Sequence, residues 1–246
     1  MQNSKPKYLL IDKCIFFKEK GILAVGDLHL GYEHMLKNLG VDFPLKEKKE
    51  LKEGFENLFK EIEKRKLQIK ILVFLGDIKH SFGFEWKEKH SFNEILKFIK
   101  EKLPNTKIIF IKGNHDTIDF SYGKMKNYYI KEDIAFLHGH ESFPEIFDNK
   151  IKTLVLGHLH PSIILIDKHT SRKEKYKCYL IGKYKSKKII ILPSFLTTIE
   201  GQTINNLEYE YKNFFSILPK KELRNFEVFV VENREILKFG KIKNLR

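Results

Sequence analysis

The sequence predicts an α/β fold built on two sheets, and three observations carry that expectation. Short apolar runs of strand length alternate with amphipathic stretches in the first half. The second half is richer in strands. Five of the runs end in polar turns rich in glycine and histidine. The 246 residues can bury a proper core, and no linker, repeat or low-complexity tract divides residues 1–246, so a single domain is expected.

Taken in order, YLLI (8–11) and ILAV (22–25) read as strands, and the second leads into Gly26-Asp27-Leu28-His29. A helix is predicted over 45–66, where Leu51, Phe55, Leu58, Phe59 and Ile62 share one face. ILVFL runs into Gly76-Asp77, and a second helix over 88–103 carries Phe92, Ile95, Leu96 and Ile99. IIFIK then reaches Gly113-Asn114-His115-Asp116, IAFL reaches His138-Gly139-His140, and TLVL reaches Gly157-His158-Leu159-His160. After His160, the stretches SIILID, YKCYLIGKY, IIILPS and FEVFVVEN read as hairpins of a second sheet.

Composition narrows the class. Hydrophobic content of 42% suits a globular protein, no apolar run is long enough to cross a bilayer, and MQNSKPKYLLIDK does not read as a secretory signal. A cytoplasmic location is expected. The two cysteines, Cys14 and Cys178, lack metal or redox spacing and are expected as buried free thiols. A net charge of +14 raises the question of a polyanionic partner. LKEKKELKEGFENLFKEIEKRK reads as a solvated helix face, whereas KYKSKK (183–188) and KFGKIKNLR are candidates for holding phosphates. Abundant Lys, Glu and Ile with scarce Gln, Cys and Met resembles hyperthermophile usage, a bias that an AT-rich genome also produces.

Seven of the ten histidines, His29, His80, His115, His138, His140, His158 and His160, lie in or just after the five polar turns. Ligands of open α/β sheets bind where loops at the carboxyl ends of strands converge. Asp27 and His29 are two apart, so on an extended chain they would project together and grip one ion; His158 and His160 repeat the spacing. Imidazole mixed with carboxylate and amide oxygen suits manganese, iron or zinc better than magnesium or calcium. One such turn alone is more often an ordinary hydrogen-bonded bend, but five in one chain point to a metal site.

The ordered set Asp-x-His, Gly-Asp, Gly-Asn-His-Asp, His-Gly-His, Gly-His-x-His resembles the signature of the calcineurin-like metallophosphoesterase superfamily over residues 26–161. GDLHLGYE, GDIKH, GHLHP and LPSFLTTIEGQTINN further resemble a branch of predicted archaeal phosphoesterases related to bacterial phosphoesterases associated with DNA ligases. The resemblance implies two packed mixed β-sheets flanked by helices and a pair of divalent ions, manganese first, with iron or zinc as alternatives. It implies that Asp27, His29 and His160 hold one ion, that Asn114, His138 and His158 hold the other, and that Asp77 bridges them. His115 would be catalytic beside the substrate phosphate, with Asp116 orienting its ring. The implied reaction is hydrolysis of phosphate esters by metal-activated hydroxide.

The lysine surplus favours phosphodiesters of nucleic acids or nucleotides as substrates. A phosphomonoesterase acting on a small metabolite or phosphoprotein is the alternative. A non-catalytic scaffold on the same fold is a third reading, disfavoured because every block is intact. Neither a membrane nor an obligate protein partner is expected. Glu33 is expected to hydrogen-bond a neighbouring ligand, and Lys79 or His80 to meet substrate or to lie in an exposed turn. His140 is expected to stand behind the ligands, and His34, His90 and His169 to be surface residues.

Overall fold

The computed structural model describes residues 7–41, 46–80, 86–116, 124–167, 170–205 and 216–245. The first sheet holds β1 (Tyr8–Ile11), β2 (Cys14–Phe17), β3 (Ile22–Val25), β4 (Ile71–Phe74) and β5 (Lys107–Phe110), side by side in that order. β1, β2 and β3 form an antiparallel meander, while β3, β4 and β5 run parallel. Helix α1 (Tyr32–Asn38) and the long α2 (Glu47–Lys64) connect β3 to β4, and α3 (Trp86–Lys102) connects β4 to β5.

The second sheet contains β6 (Tyr128–Lys131), β7 (Ile134–Leu137), β8 (Thr153–Leu156), β9 (Pro161–Ile166), β10 (Lys173–Tyr184), β11 (Lys187–Ile191) and β12 (Gln202–Thr203). After the short α4 (Lys220–Leu223), β13 (Glu227–Glu232) and β14 (Glu235–Lys241) extend it from β10. Both sheets are mixed: in the second, β7, β8 and β11 run parallel to one another and β12 runs parallel to β9, while the other pairings are antiparallel. The sheet change falls between β5 and β6, earlier than the sequence suggested: IAFL and TLVL already belong to the second sheet.

Strand side chains alternate between faces, and both faces of each sheet are covered, so the central strands are apolar throughout. Ile22, Ala24 and Val73 meet Phe136, Val155 and Ile190 in a core between the sheets. Leu23, Val25, Leu72 and Phe74 turn the other way, onto Leu51, Phe55 and Leu58 of α2 and Phe92 and Ile95 of α3. The opposite face of the second sheet is closed by Ile146, Leu218, Leu223 and Phe226. Tyr179, fully buried on β10, donates its hydroxyl to the carbonyls of Asp12 and Cys14 at 2.7 and 2.8 Å and so ties one sheet to the other. Cys14 and Cys178 are buried free thiols, and no described helix is long and apolar enough to cross a membrane.

Candidate metal centre

All five polar turns follow the carboxyl ends of parallel strands. β3, β4 and β5 deliver Asp27, Asp77 and Asn114 from one sheet, and β7 and β8 deliver His138, His158 and His160 from the other. Among the described residues three groups of donors result, one of them the histidines His29, His80 and His115, and the other two share Asp77. Of those two, Asp27, His29, Asp77 and His160 form the first cluster, and Asp77, His138 and His158 the second.

In the first cluster, Nε2 of His29 is 3.1 Å from Nε2 of His160, and the latter lies 3.3 Å from Oδ2 of Asp27. In the second, Nε2 of His138 stands 3.0 Å from Oδ1 of Asn114, 3.2 Å from Oδ2 of Asp77 and 3.1 Å from Nδ1 of His158. The same Asp77 oxygen is 3.8 Å from Nε2 of His29, which sets it between the clusters.

This donor arrangement fits a pair of cations. One imidazole N–H cannot be aimed at three neighbours in three directions, whereas one ion can sit among all four donors. Two ligands about 2.1 Å from a common ion and at right angles to one another are about 3.0 Å apart, near the observed spacings. The remaining nitrogen of His138, Nδ1, lies 2.9 Å from the Leu75 carbonyl and 3.1 Å from Oδ1 of Asp27, which orients the ring.

Four of these residues have left-handed backbone: His29 (φ 47°), Asp77 (φ 44°), His158 (φ 66°) and His160 (φ 40°). The two-residue spacings therefore do not act through an extended chain: Asp27 and His29 still share one cluster, as expected. His158 and His160 do not project together but enter different clusters. Non-glycine residues held this way cost about 1–3 kcal/mol each and persist where surrounding contacts over-determine them. The turns are also packed against one another. A Cβ on Gly113 would lie 2.1 Å from Oδ1 of Asp77, and one on Gly157 would lie 2.7 Å from Oδ2 of Asp27.

Burial raises the Asp27 carboxyl, but His160 and His138 outweigh it and hold the group well below the carboxylate range. Asp77 is likewise lowered, burial being overcome mainly by His138. His29 is lowered to about 3 by burial, with His160 adding to the effect, so it stands ready as a neutral donor.

Asp116 departs from its expected role. Its carboxylate accepts from the backbone N–H groups of Gly113 (3.0 Å), Ile78 (3.1 Å) and Lys79 (3.4 Å), stitching the β4 and β5 turns together. Burial, with Asp77 nearby, raises it to about 6. The His115 ring is instead oriented by the His80 carbonyl, 2.5 Å from Nδ1. Its backbone N–H donates to Oδ1 of Asp77 at 2.9 Å.

Glu33 does not reach a ligand either. Glu47 accepts from the N–H groups of Gly31 and Glu33, while Glu33 accepts from the N–H of Glu47, so the first turns of α1 and α2 cap one another. The turn after Asp77 is not exposed: Lys79 is buried, and His80 is half-buried, with Nδ1 3.4 Å from Nδ1 of His29 and its ring stacked on His115. His140 packs its ring edge against His138, 5.2 Å between centroids. His90 is exposed, His34 is half-buried, and His169 lies outside the described residues.

A cleft of about 560 Å³ opens over the clusters, lined by His29, His115, His158 and His160 and bounded by Tyr32, His80 and residues 199–202. Sequence reasoning gave Tyr32 no role, because a single tyrosine after a glycine carries no spacing signal.

Residues 21–189 match the family model described as calcineurin-like phosphoesterase. The chain belongs to that family, metal-dependent hydrolases of phosphate esters. Among solved structures it is similar to the nuclease MPE of Pseudomonas putida, with a TM-score of 0.58 at 16% identity, over 93% of this chain and 92% of that one. That likeness speaks to the fold. Comparison with curated proteins finds no match.

Proposed function

We propose that this protein is a dinuclear phosphodiesterase acting on nucleic acid or nucleotides, with Asp27, His29 and His160 holding one ion, Asn114, His138 and His158 the other, and Asp77 shared. The observation that carries this reading is the single Asp77 oxygen lying between two sets of nitrogen and oxygen donors beneath an open cleft. Two divalent ions bound there would supply Lewis acidity toward phosphoryl oxygens and would lower the pKa of a water so that its hydroxide could attack phosphorus. Manganese is the first choice for this mixed donor set, followed by iron or zinc.

The chain's own groups do the rest. Asp27 and Asp77, both held ionised, offset part of the cations' charge and leave the site positive toward a phosphate. His115 donates Nδ1–H to the His80 carbonyl, so Nε2 is the atom that would meet the phosphoryl group, and in the imidazolium form it would give its proton to the leaving oxygen. Asp116 fixes the two turns from which Asp77 and His115 project. The preference for diesters is supported by the net charge of +14 and by the likeness to a protein described as a nuclease. A single domain spanning 1–246 is part of the same reading.

The test compares hydrolysis of a bis-aryl phosphodiester and an aryl monophosphate by manganese-loaded protein. Faster diester hydrolysis is expected. A clear preference for the monoester would reassign the protein to the metabolite or phosphoprotein phosphatases, and no turnover of either would end the reading.

A further inference from the structure

Residues 192–201 connect β11 to β12, and with Gln202 at the start of β12 they form the far boundary of the cleft through Ile199, Glu200 and Gly201. Ser194, Phe195 and Leu196 are buried, and the Phe195 ring lies 4.6 Å from Phe55 of α2. This segment touches two turns that arise far apart in the chain. The Phe195 N–H donates to the Asp27 carbonyl at 2.9 Å, and the Gln202 N–H donates to the His160 carbonyl at 2.8 Å. The second contact is close: a Cβ on Gly201, whose φ is +79°, would lie 2.1 Å from the His160 oxygen. Behind the segment, Nζ of Lys177 donates to the Ser194 carbonyl (3.1 Å), to the Ser194 hydroxyl (2.9 Å) and to the Leu196 carbonyl. The Ser194 hydroxyl passes on to the Ile199 carbonyl at 3.1 Å.

We infer that residues 192–202 are a strap that positions one half of the metal centre, the Asp27/His29/His160 half, and that Lys177 is the positioning residue holding the strap in shape. The inference rests on the reading of those three residues as ligands of one ion. Main-chain anchoring of Asp27 and His160 matters because His160 sits in a left-handed conformation that local sequence does not enforce. Lys177 serves through geometry: its amine donates to three oxygens, two of Ser194 and one of Leu196, and so fixes the bend on either side of Phe195. Loss of outer partners of this kind commonly weakens metal binding about 10–100-fold.

The test is manganese binding by calorimetry, with the electron spin resonance spectrum as a second readout, on the full chain and on Lys177→Met. The wild type is expected to take up two ions per chain and show a coupled pair. Lys177→Met is expected to keep one affinity and lose about 10–100-fold in the other, giving the spectrum of isolated manganese at moderate loading. Lys187→Met is the matched comparison. That buried lysine also clamps carbonyls, those of Asp148 and Ile151, but at the opposite end of the sheet, so both affinities should survive. If Lys177→Met does not fold, Ser194→Ala removes one acceptor and carries the same expectation.

Two unchanged affinities in the folded variant would overturn the strap and leave the dinuclear reading standing. Equal weakening by both lysine variants would overturn it too, as a general stability effect. A wild type that binds fewer than two ions would overturn the dinuclear reading and the inference together.

Discussion

Burial pulls the imidazolium of His138 down, but Asp77 and Asp27 outweigh it and hold the group well above the usual histidine range. In the metal-free protein that ring keeps a proton which a cation must displace, whereas His29, lowered to about 3, has none to lose. Apparent metal affinity should therefore rise with pH, by up to about tenfold per unit for one proton, and level off above the folded pKa of His138. Calorimetric titrations in buffers of different ionisation enthalpy count the protons released; none released near neutrality would contradict the assignment. Stability of the metal-free protein should move the opposite way on the basic side. The contribution of His138, fully present below its unfolded pKa near 6.5, is lost as pH rises through its raised folded value. Asp27 and Asp77, whose folded values are lowered, contribute above the unfolded value near 3.8, and that contribution is lost on acidification.

His115→Ala should lower kcat by about 10²–10⁴-fold with metal content unchanged, because the ring is a proton donor in the proposed function and belongs to neither ion's assigned set. Full activity in the variant would remove it from the chemistry. Donor types and their order along the chain were legible, since glycine-led turns after apolar runs are a local signal. The left-handed conformations and the partners of Asp116 were not. Asp116 bonds to Ile78 and Lys79 from another turn, and adjacency to His115 in sequence gives no hint of that.

At the level of elements, the long amphipathic helices were readable from their 3.6-residue period, and α2 and α3 fall within two residues of expectation over the described range. β2 was missed, although CIFF is wholly buried, because a two-residue turn runs it on from YLLI. β14 was missed because EILKFGK is largely exposed, and α1 because seven residues are too few for a period. The packing of turns yields a sharp expectation: Gly113→Ala places a methyl group against the Asp77 carboxylate, and it should abolish tight metal binding while the far-ultraviolet circular dichroism spectrum stays native. Phe136→Ala, at the interface of the sheets and 5.7 Å from the Phe17 ring, should cost about 3–5 kcal/mol in urea unfolding. A cost under 1 kcal/mol would mean that the two sheets do not share a core.

For the whole molecule, the net charge of +14 was plain, but its distribution was not. KYKSKK lies on the β10–β11 hairpin, at the start of β11, whereas the metal-bearing turns follow the far ends of the strands parallel to it. Four residue steps along β11 amount to roughly 13 Å at the usual strand rise, so this cluster does not line the cleft. Lys187 within it is buried on main-chain carbonyls, and Lys188 stands 4.4 Å over the Tyr8 ring. Binding of single-stranded oligonucleotide should still weaken with salt, by about 0.7 logarithmic units per phosphate contacted for each tenfold increase. Lys183→Ala with Lys185→Ala should leave kcat/KM for that oligonucleotide unaltered; a large drop would put the hairpin on the substrate's path.

The donors for each proposed ion are contributed by both sheets, and this bears on how the chain matures. During synthesis the amino-terminal sheet is complete through Phe110 before His138, His158 and His160 emerge. Until they emerge, Asp27, Asp77 and Asn114 face water along an open rim with only part of each ligand set in place. Ions held as proposed need both sheets in place, so free metal should raise the apparent stability of the folded chain through mass action.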